Sequence, residues 1–234
     1  MDVDIRTLGG VGDGSTSNTA VFKLAVSMLA AAGGGTLRLE ADTTGLNNTF
    51  LTGPFNCTSN MVLLVGSGVT LLGSNNLTEW PLMPPMPSYG QGRDHPGPRR
   101  VSLVHGFNLT NLTLTGEGTI DGQGQFWWDR HNSRVEKYTR GHLIECMYCS
   151  HLELSHLTLR NSPFWTVHPA FCAGVHAHHL TILNPLHSPN TDGIDPDSTR
   201  DVLLHHNRIS TGDDCYALKS ALIECRLRAR LTTR

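Results

Sequence analysis

The sequence predicts an all-β fold, a parallel β-helix (solenoid) with a short N-terminal capping helix. Short runs of alternating apolar residues recur about every 21 to 27 residues, and residues 149–161 match residues 172–184 at an offset of 23. Only one segment has the apolar spacing of an amphipathic helix. Strands too short to pair as hairpins, one in each repeat, are what a parallel β-helix requires, because each coil adds one strand to each sheet.

The repeat is clearest where CSHLELSHLTLRN (149–161) is aligned with CAGVHAHHLTILN (172–184). Like residues then coincide: Cys149 with Cys172, His156 with His179, and Asn161 with Asn184. Because identical side chains stack on consecutive coils, the last pair predicts an asparagine ladder.

Flanking segments match the repeat more loosely. Leu114 falls opposite Leu159 at an offset of 45, which we interpret as two coils. Ile182 falls opposite Ile209 at an offset of 27, which we interpret as one coil with an insertion of four residues. Residues 1–220 are therefore predicted to form one β-helix domain, with its cap at about residues 5–40, and residues 221–234 to form a tail outside the repeat.

The capping helix is predicted in NTAVFKLAVSMLAAAGGG. Asn18 or Thr19 can serve as the N-cap, and Gly33 to Gly35 end the helix. A solenoid must cover its open end with an atypical element, and an amphipathic helix beside the first coil does so.

Two segments are predicted to leave the coils. WPLMPPMPSYGQGRDHPGPRR (80–100) is rich in proline and glycine and predicts a long surface loop. FWWDRHNSRVEKYTR (126–140) predicts a second excursion, whose aromatic and basic side chains line a groove for sugar.

The charge and composition of the chain indicate which kinds of binding partner to expect. A formal net charge of −2 and a pI near 6.7 give no reason to expect nucleic acid or an anionic membrane. No apolar run is long enough to cross a membrane, and the first residues do not resemble a secretory signal. We nevertheless expect a secreted monomeric glycoprotein of the extracellular space or cell wall, lacking its true N-terminus, because N-x-S/T sequons begin at Asn47, Asn56, Asn76, Asn108 and Asn111.

The cysteine and histidine patterns predict no metal site. The six cysteines include the pair Cys146 and Cys149, but no second C-x-x-C and no βαβ context accompany it. Whether Cys149, Cys172 and Cys215 stack in the core or form disulfides stays open. The histidines of HAHH (176–179), together with His205 and His206, fall at equivalent positions of consecutive coils, which favours stacking of solvent-facing rings over metal binding.

The chemistry-bearing residues are carboxylates one coil apart. Asp192 precedes Asp213 and Asp214 by 21 and 22 residues, so all three are expected to crowd one sheet. Trp165 and His168 belong to the preceding coil and are expected near Asp192. Crowded carboxylates raise one another's pKa and suit glycoside hydrolysis. Inverting pairs lie about 6.5 to 9.5 Å apart and retaining pairs about 5 to 5.5 Å apart, and a diagonal between coils is compatible with both.

These residues also carry a resemblance to a known family. SPNTDGIDPDS and TGDDCYALKS, in this order and spacing, resemble the first two signature motifs of the polygalacturonases, glycoside hydrolase family 28. VGDGSTSNTAVFKLAVSMLAAAGGGTL resembles the N-terminal cap of that family, and NSPFWTVHP resembles its plant and bacterial branch. The resemblance implies a right-handed parallel β-helix that hydrolyses α-1,4-galacturonosyl linkages of pectin with inversion and without a cofactor. The implied partner is a pectic polysaccharide.

The resemblance also implies roles for individual residues. Asp213 would be the general acid, and Asp192 with Asp214 would activate water. Asn190 would bind substrate, and His168 and Lys219 would contact the sugar or its carboxylate.

The chain departs from the family pattern after Ser220. Family members continue with a Gly-His-Gly segment and an Arg-x-Lys segment, whereas this chain reads ALIECRLRARLTTR. The expectation is a C-terminally truncated chain with an exposed edge, reduced stability and severely reduced activity. Two alternatives are a non-catalytic β-solenoid that binds polysaccharide and a related hydrolase of rhamnogalacturonan or xylogalacturonan.

Overall fold

The computed structural model describes residues 1–42, 45–87 and 96–220, together with the backbone of 229–232. Two α-helices, α1 (Thr19–Ala31) and α2 (Gly124–Asn132), and two 3₁₀ turns (Ile5–Leu8 and Leu77–Glu79) accompany the strands of these residues. The strands are β1 (Asp2–Asp4), β2 (Asp13–Ser17), β3 (Gly35–Leu39), β4 (Thr49–Thr52), β5 (Phe55–Asn56), β6 (Met61–Val65), β7 (Thr70–Gly73), β8 (Leu82–Met83), β9 (Arg99–Arg100), β10 (Val104–Phe107), β11 (Thr110–Thr115), β12 (Thr119–Asp121), β13 (Ile144–Met147), β14 (Ser150–Ser155), β15 (Thr158–Arg160), β16 (Val167–Ala170), β17 (Ala173–His178), β18 (Thr181–Leu183), β19 (Arg200–His205), β20 (Arg208–Ser210) and β21 (Ala229–Thr232).

Three parallel sheets run along the molecule. The first sheet has the order β1-β3-β6-β11-β14-β17-β19-β21, the second β2-β4-β7-β12-β15-β18-β20, and the third β5-β10-β13-β16. Single bridges extend the third sheet from Val167 to Ile194 and from Ile194 to Tyr216. Successive coils thus add parallel strands to the same sheets, and the predicted all-β parallel β-helix is confirmed.

The 23-residue repeat is one coil. Strand β14 pairs with β17 so that Leu152 lies beside Val175, and β15 pairs with β18 so that Leu159 lies beside Ile182. These side chains are buried, and the stacked rows of leucine, isoleucine and valine form the core. Burial of an aliphatic side chain contributes roughly 1.5 to 3 kcal/mol, so repetition of these rows stabilises the solenoid.

The offset of 27 is confirmed, but the offset of 45 is wrong. Ile182 pairs with Ile209 on the next coil. Leu114 pairs with Leu154 at an offset of 40, and Ile120 is the residue that pairs with Leu159. One long coil separates these strands, because α2 and the chain after it are inserted between β12 and β13.

The asparagine ladder is only partly present. Asn161 and Asn184 occupy equivalent positions, but their side chains have different partners. The Asn161 amide donates to Asp121, whereas Asn184 accepts from the Ser162 amide and donates to the Thr166 hydroxyl. The two asparagines therefore link neighbouring coils through hydrogen bonds to other polar residues and not to each other.

Helix α1 covers the first coil as predicted. Its buried residues, Phe22, Ala25, Val26 and Leu29, follow the spacing of one helical face. The Phe22 ring lies 4.7 Å from that of Phe55, which begins the third sheet. Asn18 occupies the N-cap position, but its side chain makes no capping hydrogen bond to the helix.

We expect Asn18→Ala to lower the free energy of unfolding by about 1 to 3 kcal/mol, because the partly buried hydrogen bonds of a buried side chain would be lost. Asn18 is 1% exposed, accepts from the Val11 amide and donates to the carbonyls of Val11, Thr16 and Leu51. Urea unfolding measures the effect. Asn132→Ala, at an exposed position, serves as the control and should change stability little.

Neither excursion behaves entirely as predicted. In residues 80–100, β8 and β9 form an antiparallel pair, and residues 88–95 lie outside the described part. In residues 126–140, the tryptophans do not line a groove, because Trp127 and Trp128 are 0% and 2% exposed. The Trp127 ring packs against Trp80, and Trp128 donates to the Ser162 carbonyl, so the excursion closes the core.

Cysteines in the described residues have free thiols. Cys57, Cys146, Cys149 and Cys172 are buried and Cys215 is exposed, which favours the stacked alternative for Cys149 and Cys172. Cys225 lies outside the described residues.

None of the described helices is long and apolar enough to span a membrane.

The C-terminal segment contributes one more strand to the first sheet. Strand β21 lies parallel to β19, a pairing that the sequence pattern did not predict.

Candidate active site

Asp192, Asp213 and Asp214 come together beside the last two coils, just before the residues whose bridges extend the third sheet. The bridge between Ile194 and Tyr216 sets the register in which Asp192 and Asp214 are neighbours on consecutive coils. One carboxylate oxygen from each of the three aspartates lies within 4.8 Å of the others. Asp192 is buried, whereas Asp213 and Asp214 are exposed. The predicted crowding of these carboxylates is therefore present in the structure.

Glycine permits the close approach of these coils. A Cβ atom at Gly193 would collide with the carbonyl oxygen of Cys215, and one at Gly212 would collide with the carbonyl oxygen of Ser188. The Gly193 amide donates to the Asp214 carbonyl at 2.8 Å. The glycines of TDG and TGDD thus bring the backbones that carry Asp192, Asp213 and Asp214 into contact.

Lys219 supplies a fixed positive charge beside Asp192. Its Nζ lies 3.1 Å from Asp192 Oδ2 and 2.9 Å from Asp195 Oδ1, and 3.5 Å from the centre of the Trp165 ring. The Lys219 side chain is only 8% exposed. The Lys219 ammonium group was expected to contact the sugar. In the structure it instead contacts two carboxylates and the face of an indole ring.

Burial changes the pKa of the two carboxylates next to Lys219, those of Asp192 and Asp195. It raises the pKa of Asp192, and Lys219 opposes part of this rise. Burial raises the pKa of Asp195 to about 7, again against the attraction of Lys219. Asp195 had no predicted role, although it belongs to the same motif. Its contact with Lys219 makes it a positioning residue for the ammonium group.

Asn190 is held in place by Arg140. It has a left-handed backbone conformation, with φ of 54°, which asparagine adopts more readily than most residues. Arg140 Nη2 donates to Asn190 Oδ1 at 3.0 Å, and Arg140 Nη1 donates to the carbonyls of Pro163 and Pro189. Arg140 is 1% exposed and joins the coil that carries Asn190 to the preceding one.

His168 lies in the interior, contrary to its predicted contact with sugar. It is 0% exposed, and its Nδ1 lies 3.0 Å from Glu145 Oε1. Its ring packs edge-on against Trp165, whose backbone lies beside Asp192 in the register set by Val167 and Ile194. His168 therefore reaches the site only through Trp165 and the buried charges around it.

Glu145 is the centre of a buried charge network that sequence reasoning missed. Arg99 Nη1 donates to both of its carboxylate oxygens, at 2.8 and 2.9 Å, and His142 Nε2 lies 3.2 Å from Oε1. Burial alone would raise the pKa of Glu145, but Arg99 and the histidines hold it well below its usual value. The available signal was an acidic residue within an otherwise apolar strand, LIECM.

Within this network, His142 is predicted to oppose folding on mild acidification. Burial lowers the pKa of His142 to about 3, so this ring stays neutral in the folded protein while the unfolded chain binds a proton. His142 should therefore lower the free energy of unfolding below pH 6.5, by up to about 1.4 kcal/mol for each pH unit. Asp195, whose pKa burial raises to about 7, contributes in the opposite direction, so the effect of His142 is measured as a difference between variants. The pKa of His168 is raised instead, so its contribution is complete below pH 6.5 and cannot offset this loss.

Urea unfolding of the wild type and His142→Gln at about pH 7 and about pH 5 checks the assignment. Glutamine keeps a donor for Glu145 and removes the titrating group, so acidification from about pH 7 to about pH 5 should change the free energy of unfolding of the variant more favourably than that of the wild type. His187→Gln replaces an exposed histidine and should keep the slope of the wild type. Equal slopes in all three proteins would show that His142 does not cause the effect.

The carboxylates border an open depression of about 470 Å³. Its walls are Asp192, Asp213, Asp214, Tyr216, Ala217, Leu218, Lys219 and Ser220. A polar depression with carboxylates at close range can supply a proton donor and a proton acceptor to one bond, which is the requirement for hydrolysis of a glycoside. At this depression, the positive charge of Lys219 balances the negative charge of the Asp192 carboxylate.

The sequence that forms this site matches a known protein family. The model of the glycosyl hydrolases family 28 matches residues 45–227, which include both motifs. The chain belongs to this family. A probable polygalacturonase of Vitis vinifera is 46% identical to the family 28 chain over 216 residues, which are 91% of this chain and 43% of that protein.

Solved structures agree on the fold. A polygalacturonase from Erwinia carotovora ssp. carotovora superposes with a TM-score of 0.74 at 28% identity, covering 93% of the family 28 chain and 58% of the other. A hyperthermoactive exopolygalacturonase from Thermotoga maritima gives 0.80 at 24% identity, covering 94% and 55%. The family 28 chain spans about half the length of the curated relatives it matches.

Proposed function

We propose that this chain carries the catalytic carboxylates of a polygalacturonase, a hydrolase of α-1,4-galacturonan. The observation that carries the proposal is the meeting of Asp192, Asp213 and Asp214 within 4.8 Å at an open depression. Family membership and the similarity to the probable polygalacturonase of Vitis vinifera support the substrate class.

In the proposed reaction, Asp213 protonates the glycosidic oxygen as the bond to the anomeric carbon breaks. Asp192 and Asp214 hold a water molecule between them and accept its proton as its oxygen attacks that carbon. A water with hydrogen bonds of about 2.8 Å to each oxygen fits between carboxylates up to about 4.8 Å apart. Lys219 keeps Asp192 in the ionised form that accepts the proton, and Asp195 positions Lys219.

The proposed reaction inverts the anomeric centre, because its attacking oxygen comes from water and it includes no glycosyl-enzyme bond. The spacing is shorter than the range of about 6.5 to 9.5 Å usual for inverting pairs and resembles that of retaining pairs. Proton NMR of the first-formed reducing end distinguishes the outcomes: the β-anomer supports inversion, and the α-anomer supports a covalent intermediate.

We also propose that Asn190 contacts the substrate, because Arg140 fixes it on the coil of Asp192 and leaves it half-buried. His168, by contrast, acts through Trp165. Secretion and glycosylation are parts of the same proposal, supported by the exposure of the five sequon asparagines, Asn47, Asn56, Asn76, Asn108 and Asn111.

Product analysis tests the proposed function. The chain is incubated separately with polygalacturonate, rhamnogalacturonan and xylogalacturonan, and the reducing ends are measured. Saturated galacturonate oligomers or monomers from polygalacturonate support the proposal. Release from only one of the other polymers would favour a related hydrolase, and unsaturated products would indicate a lyase.

A further inference from the structure

Six histidines form a surface patch on the first sheet, apart from the sheet that carries the catalytic carboxylates. This histidine patch consists of His156, His176, His178, His179, His205 and His206. The predicted stacking is confirmed: His179 lies between His156 and His206 at 5.0 and 4.9 Å between ring centres, and His178 stacks on His205 at 5.1 Å.

The stacks bring ring nitrogens into contact. His178 Nδ1 lies 2.8 Å from His179 Nδ1, and His176 Nε2 lies 2.7 Å from His205 Nε2. One nitrogen from each of His156, His178 and His179 lies within 4.8 Å of the others. Two nitrogens bound at about 2.0 to 2.1 Å to a tetrahedral metal lie about 3.3 Å apart, so small side-chain rotations suffice.

We propose that His156, His178 and His179 bind a divalent transition-metal ion of the zinc class. The three side chains come from one strand end and two adjacent turns of the solenoid, which the regular coil register holds in place. Their rings are exposed or half-buried, so an ion can reach them from solvent.

Glu153 orients the central ligand. Its Oε1 lies 3.6 Å from His178 Nε2, which leaves His178 Nδ1 facing His179. This distance is just beyond that of a hydrogen bond, and a shift of a few tenths of an ångström would let Glu153 accept from Nε2. A carboxylate that accepts from the remote nitrogen of a ligating histidine fixes the tautomer and strengthens the ligand.

The donor set selects the class of ion. Imidazole nitrogen suits zinc, copper and nickel, whereas calcium and magnesium require oxygen ligands. The carboxylates of Asp192, Asp213 and Asp214 offer only oxygen, so the two places differ in the ions they prefer.

Titration calorimetry with Zn²⁺ on chelator-treated protein at neutral pH tests the proposal. We expect wild-type protein to bind Zn²⁺, His178→Gln to bind at least tenfold more weakly, and the His156→Gln/His178→Gln/His179→Gln variant to lose the site. Glu153→Gln should weaken binding about tenfold without removing a ligand. His187→Gln, an exposed control, should bind like the wild type, and Ca²⁺ should give no heat at this site.

Circular dichroism confirms that each variant is folded, and glutamine substitutions preserve polarity at these exposed positions. The proposal is overturned if the triple variant binds Zn²⁺ within twofold of the wild type, if His187→Gln weakens binding equally, or if wild-type protein binds no Zn²⁺. Zinc bound instead at the catalytic carboxylates would survive the histidine substitutions and would count against the proposal.

Discussion

Asp213→Asn is expected to reduce hydrolysis of polygalacturonate by about 10²- to 10⁴-fold, the usual contribution of a general acid. The amide keeps the size of the side chain but cannot protonate the glycosidic oxygen. The initial rate of reducing-end release measures the effect. Asp201→Asn is the matched control, because Asp201 is an exposed aspartate on β19 of the first sheet, and this variant should keep the wild-type rate.

Binding separates this result from a general disruption of the site. Because Asp213 is exposed and its carboxylate is not part of the Lys219 contacts, the variant should bind polygalacturonate with an affinity within a few-fold of the wild type. An equal loss of binding and hydrolysis would indicate that Asp213 holds the substrate and not that it transfers a proton.

Arg99→Met is expected to lower the free energy of unfolding by about 3 to 5 kcal/mol, because it leaves the Glu145 carboxylate buried without its strongest partner. The Arg99 and Glu145 side chains are 3% and 0% exposed. Urea unfolding at neutral pH measures the loss. Arg200→Met, at an exposed arginine, is the control and should change stability little.

A second variant identifies the cause of this destabilisation. Arg99→Met combined with Glu145→Leu removes both charges, and replacing a buried ion pair by apolar residues is often neutral. The double variant should therefore recover part of the stability lost in Arg99→Met. A double variant less stable than Arg99→Met would mean that Glu145 is needed mainly for His142 and His168, and not for Arg99.

The repeat could be predicted from the sequence because stacking forces like residues onto like residues. Cys149 and Cys172, or Leu159 and Ile182, meet the same neighbours one coil later, so the period is visible without structural information. The same regularity placed Asp192 beside Asp214. The offset between Leu114 and its partner was misjudged because α2 lengthens one coil and leaves no repeat pattern of its own.

The buried supports of the site could not be predicted in the same way. Arg99 reaches Glu145 across 46 residues, and Arg140 reaches Asn190 across 50. Such contacts depend on where inserted segments fold back, which the period does not specify. His168 was misplaced because its position on the coil does not reveal the buried partners that enclose it, such as Glu145 and His142.

The most direct test of the catalytic assignment is reducing-end release from polygalacturonate by the 234-residue chain, with Asp213→Asn measured in parallel. We expect slow release by the wild type that falls by about 10²-fold or more in the variant. Release at the same rate from both proteins would contradict the role of Asp213. Binding of polygalacturonate without any release by the wild type would instead identify a polysaccharide-binding solenoid.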